Sequence, residues 1–191
     1  MVSWSQDALS PWLAALKAGQ VCAAPAEGVY GYVADPFNEK SLSALLALKK
    51  RDPSKGFICL IADNDDLAHL CPPSLSPAHQ AAIETSWPCP GNAAVTLRLP
   101  AKDTISPLLL GNYPTLIVRH PATPYMQDYL QAWKKTSGHG VLISTSLNLS
   151  GEPPALSAAQ IPADIPALTL SAPLSGNPSR ILDPATGQWI R

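Results

Sequence analysis

The chain alternates between short continuous apolar runs and longer stretches in which apolar residues recur every three or four positions. The runs at Val21-Cys22-Ala23-Ala24-Pro25, 57–61, 93–99, 115–119 and 141–144 have the length of buried strands. A short extended piece is expected at 31–35. Ser10-Pro11 opens a helix with Pro at its first position, an earlier start near Ser5 being the alternative, and Gly19 ends it. Asn38 is the expected N-cap of a second helix, with Leu42, Leu45, Leu46 and Lys49 on one face. That helix closes in Lys49-Lys50-Arg51, where cations suit the negative end of the dipole, and Pro53 follows. Short helices are expected at 65–70 and 77–86. A longer one, at 124–135, carries Tyr125, Tyr129, Leu130 and Trp133 on its apolar side. The alternation predicts an α/β fold with a mixed sheet, and 191 residues without an internal repeat suit one domain spanning 1–191.

Composition narrows the functional classes. Hydrophobic residues make up 46% and charged residues 14%, the balance of a folded globular chain. A net charge of -1 provides no global basic field for nucleic acid. No apolar run is long enough to span a bilayer, and residues 1–7 lack the basic-then-apolar order of a secretory signal, so a cytoplasmic location is expected. The four cysteines form no C-x-x-C pair. Cys22 and Cys59 fall in strand-like runs and read as small buried hydrophobes. His69, Cys71, His79 and Cys89 match no zinc spacing, and no metal site is expected. Asp63-Asn64-Asp65-Asp66 begins like a calcium loop but lacks the later Gly and Glu, so it reads as a helix N-terminus. His120 and His139 read as loop or hydrogen-bonding residues, and the tryptophans as packing residues.

The usual phosphate-loop, dinucleotide-turn, nucleophile-elbow and zinc-helix motifs are absent from the sequence. Three other constellations remain. Pro25-Ala26-Glu27-Gly28-Val29-Tyr30-Gly31 follows a buried strand, where α/β sheets hold ligands, although Pro and Gly also make ordinary turns. Lys49, Lys50, Arg51 and Lys55 place cations at a helix end, suited to anions or simply to the helix dipole. Ser144-Thr145-Ser146-Leu147-Asn148-Leu149-Ser150-Gly151 sets hydroxyls and an amide at a strand end, where they can bind phosphate or satisfy their own turn.

In this order the motifs resemble the YrdC family of threonylcarbamoyl-AMP synthases. The family pattern runs P-T-E-T-x-Y-G, K-x-R with a following K-[PG]-L, W-P-G-P-x-T, S-T-S-A-N-x-S-G and [RN]-P-S. This chain carries Pro25-x-Glu27-x-x-Tyr30-Gly31, Lys49-x-Arg51 with Lys55-Gly56, Trp87-Pro88-x-Pro90, Ser144-Thr145-Ser146-x-Asn148-x-Ser150-Gly151 and Asn177-Pro178-Ser179. The resemblance implies a YrdC-like domain, a twisted mixed sheet with helices around it and a concave basic cavity. It also implies condensation of L-threonine, bicarbonate and ATP into threonylcarbamoyl-AMP with release of pyrophosphate. A separate tRNA threonylcarbamoyl-transferase machinery would consume the product. By the same resemblance Lys49 and Arg51 are catalytic cations. Pro25, Glu27, Tyr30, Lys55 and Arg119 serve threonine; Lys49, Arg51, Ser144, Ser146, Asn148 and Ser179 hold ATP, with Mg2+ on the triphosphate. Binding of tRNA or double-stranded RNA is a further possibility for the family's cavity.

The chain departs from the pattern at defined places. Ala26 and Gly28 replace both threonines of P-T-E-T, which removes two hydroxyls from the expected amino-acid pocket. Cys89 replaces a glycine, residues 91–94 are an apparent insertion, and Leu147 adds bulk beside the expected nucleotide loop. A paralogue with altered substrate, or a non-catalytic nucleotide- or RNA-binding module, is the alternative reading.

Overall fold

The computed structural model describes residues 5–50, 52–88, 94–149 and 151–190. Its centre is one eight-stranded sheet in the order β1-β2-β6-β3-β5-β4-β7-β8. The strands are β1 (Cys22–Ala26), β2 (Val29–Ala34), β3 (Ile58–Ile61), β4 (Val95–Pro100), β5 (Thr115–Arg119), β6 (Val141–Ser146), β7 (Arg180–Asp183) and β8 (Gln188–Trp189). The β3–β5 and β4–β7 pairs are parallel and the others antiparallel, so the sheet is mixed as expected. The helices are α1 (Leu9–Lys17), α2 (Glu39–Lys49), α3 (Leu67–Leu70), α4 (Pro77–Ser86), α5 (Pro107–Leu110) and α6 (Pro124–Ser137). No described helix is long and apolar enough to cross a membrane.

Strand alternation divides the core into two layers. Val141 and Ile143 of β6, Cys59 and Ile61 of β3, and Leu97 and Leu99 of β4 point to one face, together with Leu42 and Leu45 of α2. Leu142 and Leu60 point to the other and meet Trp12 and Leu16 of α1 and Met126, Tyr129, Leu130 and Trp133 of α6. Trp12 and Trp133 are both fully buried, and their indole N–H groups donate to the carbonyls of Ala23 and Val141. Burial without loss of these hydrogen bonds locks both helices to the sheet.

The local rules held at α2. Asn38 Oδ1 accepts from the amides of Lys40 and Ser41, satisfying two donors at the helix start. The acidic run at 63–66 likewise forms a capping box on a 3-10 turn, Asn64–Asp66. Two short strands, β7 and β8, and the single-turn α5 were not anticipated. The long proline-rich segment before β7 adds no strand of its own but borders the sheet: Ala167 bridges Ala23, and Leu170 N donates to Tyr30 Oη.

Candidate functional site

Helices α1 and α6 cover only part of their face of the sheet. Beside them a cavity of about 450 Å³ opens over β6, β3 and β5, within the range of small-molecule sites. Cross-strand register builds its floor. Ile58 pairs with both Ser144 and Ile117, which sets a hydroxyl, two isoleucines and, two residues further along β5, Arg119 on one surface. Ser146, two residues beyond Ser144, continues the polar side. Gly31 makes room for Ser144: a β-carbon there would lie 2.7 Å from Ser144 Oγ.

The β1–β2 turn forms the next wall. Glu27 adopts a left-handed backbone with φ 62°, a conformation that non-glycine residues seldom adopt outside tight turns. Its carboxylate lies 3.2 Å from Arg119 Nη1, with both side chains largely buried. Glu27 Oε2 and Arg119 Nε make no hydrogen bond to a described protein group. Thr123 Oγ1 donates weakly to Glu27 Oε1 at 3.4 Å. The Tyr125 phenol also reaches the turn, and burial, followed by the charge of Glu27, pushes its pKa up to about 12.

Ser146 is tied from behind. Lys49 is buried at the end of α2, and its ammonium donates to the Ser146 carbonyl, to Ser146 Oγ at 3.4 Å and to Asn148 Oδ1 at 2.9 Å. Ser146 Oγ donates to the same Asn148 oxygen at 2.7 Å, and Asn148 Nδ2 donates to the Glu152 carbonyl. This network fixes the shape of the strand-end turn and places a positive charge beneath its hydroxyl. Opposite lies the segment Gly176, Asn177, Pro178 and Ser179. Ser179 is buried there and accepts a hydrogen bond from Thr96 Oγ1 at 3.1 Å.

The structure therefore brings Glu27, Arg119, Ser144, Ser146 and Ser179 to one cavity wall, with Lys49 and Asn148 immediately behind Ser146. Three of the expected residues are placed elsewhere. Tyr30 does not shape the cavity. Alternation turns it and its cross-strand partner Pro25 to the opposite face, where Tyr30 is fully buried and its hydroxyl accepts from Leu170 N. Pro25 instead contributes its carbonyl, which accepts from Tyr129 Oη at 3.2 Å. Lys55 is exposed and bridged to Gly111, although its neighbour Gly56 lines the cavity. Arg51, Cys89 and Ser150 lie outside the described residues.

Two of the departures from the family pattern also look different in three dimensions. Leu147 adds no bulk to the cavity: its side chain is buried in the core of the opposite face. Gly28 is not simply a position that lost a hydroxyl, because a β-carbon there would lie 1.9 Å from the Asn177 carbonyl oxygen. Residues that the sequence did not single out include Thr123, Tyr125 and the apolar lining residues Phe57, Ile58, Ile117 and Ile181. Their alternation marked strands but not which face would be left uncovered.

Comparison with known proteins agrees with the fold and covers nearly the whole chain. The family model Sua5_yciO_yrdC, described as "Telomere recombination", matches residues 14–190. The chain is 37% identical over 196 residues to the threonylcarbamoyl-AMP synthase of Serratia proteamaculans (strain 568), covering 100% of this chain and 99% of that protein. It is 36% identical over 189 residues to the threonylcarbamoyl-AMP synthase of Chromohalobacter salexigens, covering 97% of each. Among solved structures, P. abyssi Sua5 complexed with L-threonine superposes with a TM-score of 0.77 at 23% identity, over 92% of this chain. The chain spans about half the length of that protein, 50% of it being covered. E. coli YciO superposes with a TM-score of 0.68 at 17% identity, over 94% of this chain and 84% of the other. By its sequence over its full length, and by its fold, the chain is an enzyme of the Sua5/YciO/YrdC family.

Proposed function

We propose that this chain is an L-threonylcarbamoyladenylate synthase, a nucleotidyltransferase acting in the tRNA threonylcarbamoyladenosine modification pathway of the cytoplasm. One observation carries the reading. A chain that aligns end to end with threonylcarbamoyl-AMP synthases gathers an acid–base pair and three hydroxyls around a single cavity.

The chemistry requires two bonds to form. The threonine ammonium first gives up a proton to solvent, and the free amine then attacks the carbon of bicarbonate and gives a carbamate, with loss of one water. A carbamate oxygen then attacks the α-phosphorus of ATP, and the bond to pyrophosphate breaks. Arg119 offers its guanidinium to the threonine carboxylate, and Glu27 offers its carboxylate to the ammonium. Ser144 and Ser179 donate to phosphate oxygens, Ser146 does so once its hydroxyl turns away from Asn148, and the buried Lys49 adds positive charge behind Ser146. Holding the three substrates against one another supplies much of the acceleration such a condensation needs. Glu27 is the one carboxylate among the described lining residues and is already paired with Arg119. Magnesium would come with the triphosphate, where it would neutralise phosphate charge, and Glu27 is the lining carboxylate that could reach it.

The test is to incubate purified protein with ATP, magnesium, bicarbonate and L-threonine while following pyrophosphate and the adenylate by mass spectrometry. Threonine-dependent threonylcarbamoyl-AMP that is lost in Arg119→Ala is the expected result. ATP binding with no adenylate from threonine would overturn the synthase assignment and direct the search to other amino acids. Salt-sensitive binding of double-stranded RNA without ATP turnover would establish an RNA-binding module instead.

A further inference from the structure

Residues 176–179 run as a strap along the cavity and are anchored at both ends. Before them, Leu174 N donates to the Leu156 carbonyl at 2.8 Å. After them, Arg180 N donates to the Ala94 carbonyl at 2.9 Å, and β7 joins the sheet beside β4. Between these anchors the strap sits directly on the β1–β2 turn. Gly176 N donates to the Gly28 carbonyl at 2.7 Å, and a β-carbon at Gly28 would stand 1.9 Å from the Asn177 oxygen and 2.9 Å from its carbonyl carbon.

The clash involves backbone, which no rotamer change can relieve. Gly28 is also not among the glycines with positive φ, so no left-handed backbone calls for glycine there. The requirement for glycine is therefore one of contact rather than conformation. A side chain at this position forces the turn and the strap apart.

The geometry points to Gly28 as the positioning residue that seats this strap as a fixed wall of the nucleotide site. Gly28 touches the strap through its backbone, and the strap carries Ser179 and its Thr96 hydrogen bond to the cavity. The loss of a side chain at 28 thus trades one possible substrate contact for a closed cavity in this chain. A wall already in place needs no ordering when ligand arrives, which favours affinity.

The experiment compares wild type with Gly28→Ala, and with a variant that inserts two glycines between Ser175 and Gly176 to loosen the strap without touching the turn. Hydrogen exchange at the Gly176 amide is measured alongside amides of β5 and β6, and ATP affinity is measured by calorimetry. The ATP readout rests on the function proposed above; the exchange readout does not. In both variants we expect at least about tenfold faster exchange at Gly176, unchanged protection in β5 and β6, and about fivefold to tenfold weaker ATP binding. Unchanged exchange at Gly176 in Gly28→Ala would overturn the seating. Unchanged ATP affinity in both variants would overturn the role of the strap in the site. If Gly28→Ala does not fold, the insertion variant still tests the strap, and unchanged Gly176 exchange and ATP affinity in it would overturn the strap as a fixed wall of the site. Wild-type protein that binds ATP yet forms no adenylate would refute the synthase assignment while leaving the strap to be judged by exchange and affinity.

Discussion

Arg119 and Glu27 form an ion pair 3.2 Å apart whose partners come from the end of a central strand and from a left-handed turn. Neither residue is replaceable by itself, because removing one strands the charge of the other in a largely enclosed site. Arg119→Met is expected to lower the free energy of unfolding by about 3 kcal/mol. The double variant Arg119→Met/Glu27→Gln should recover much of that loss. Urea unfolding of the four proteins in the cycle measures it, and additive losses would show that the two side chains do not act as a pair.

Lys49 connects α2 to the strand-end turn through three acceptors. Lys49→Met leaves the Ser146 carbonyl and the Asn148 amide oxygen short of a charged donor. A loss of about 2 kcal/mol of stability is expected, with faster amide exchange at Asn148. Lys49→Arg should not restore the turn, since a planar fork does not fit where a compact ammonium meets three converging oxygens. Full recovery in that variant, read by thermal melting, would contradict this geometry.

Gly140 leaves room for a buried carboxylate. Asp66 accepts from the amides of Gly140, Ala62 and Asp63 and is paired with Lys134 at 3.2 Å. A β-carbon at Gly140 would stand 2.3 Å from Asp66 Oδ2 and 2.4 Å from the Ala62 β-carbon. Gly140→Ala is expected to cost about 1–3 kcal/mol through overpacking, measurable by denaturant midpoint. A melting curve identical to wild type would show that the network yields to the methyl group.

Burial holds the pKa values of His120 and His139 below the ordinary 6.5, and for His139 it outweighs the opposing pull of Asp35 and Asp66, while His69 adds to the lowering. The unfolded chain therefore takes up protons as the pH falls through about 6.5, before the folded chain does, and stability falls with decreasing pH. Well above that pH both histidines are largely neutral in both states, and they add little pH dependence. Melting temperature should be flat from about pH 7 to 8 and decline from about 6.5 to 5.5, with a shallower decline in His139→Gln. An equally steep decline in that variant would assign the effect to other groups.

Much of this architecture was legible in the chain because local signals and burial agree. The apolar run at 115–119 is β5, the short helix expected at 77–86 is α4, and Asn38 caps α2 as its side chain allows. The serines and the acid–base pair of the site were legible through motif order, not through periodicity. Alternation could not reveal that Tyr30 faces away, because a hairpin seen as sequence has two faces and only the packed helices decide which is core. The significance of Gly28 was hidden for a related reason. It depends on Asn177, a residue that reaches it only after the sheet has formed. The strands β7 and β8 are too short, and too close to a proline-rich segment, to leave a periodic signal.

The wall of the cavity draws on residues from Ala26 to Ile181, so no stretch of the chain possesses it separately. An unfolded chain has nothing that resembles it, and a small molecule that fits binds the native state only. Free ligand at about a hundred times its dissociation constant then raises unfolding free energy by about 2.7 kcal/mol. Heat denaturation of this protein is consequently a ligand detector in its own right, and a panel of nucleotides and amino acids can be ranked by melting temperature before any turnover is sought.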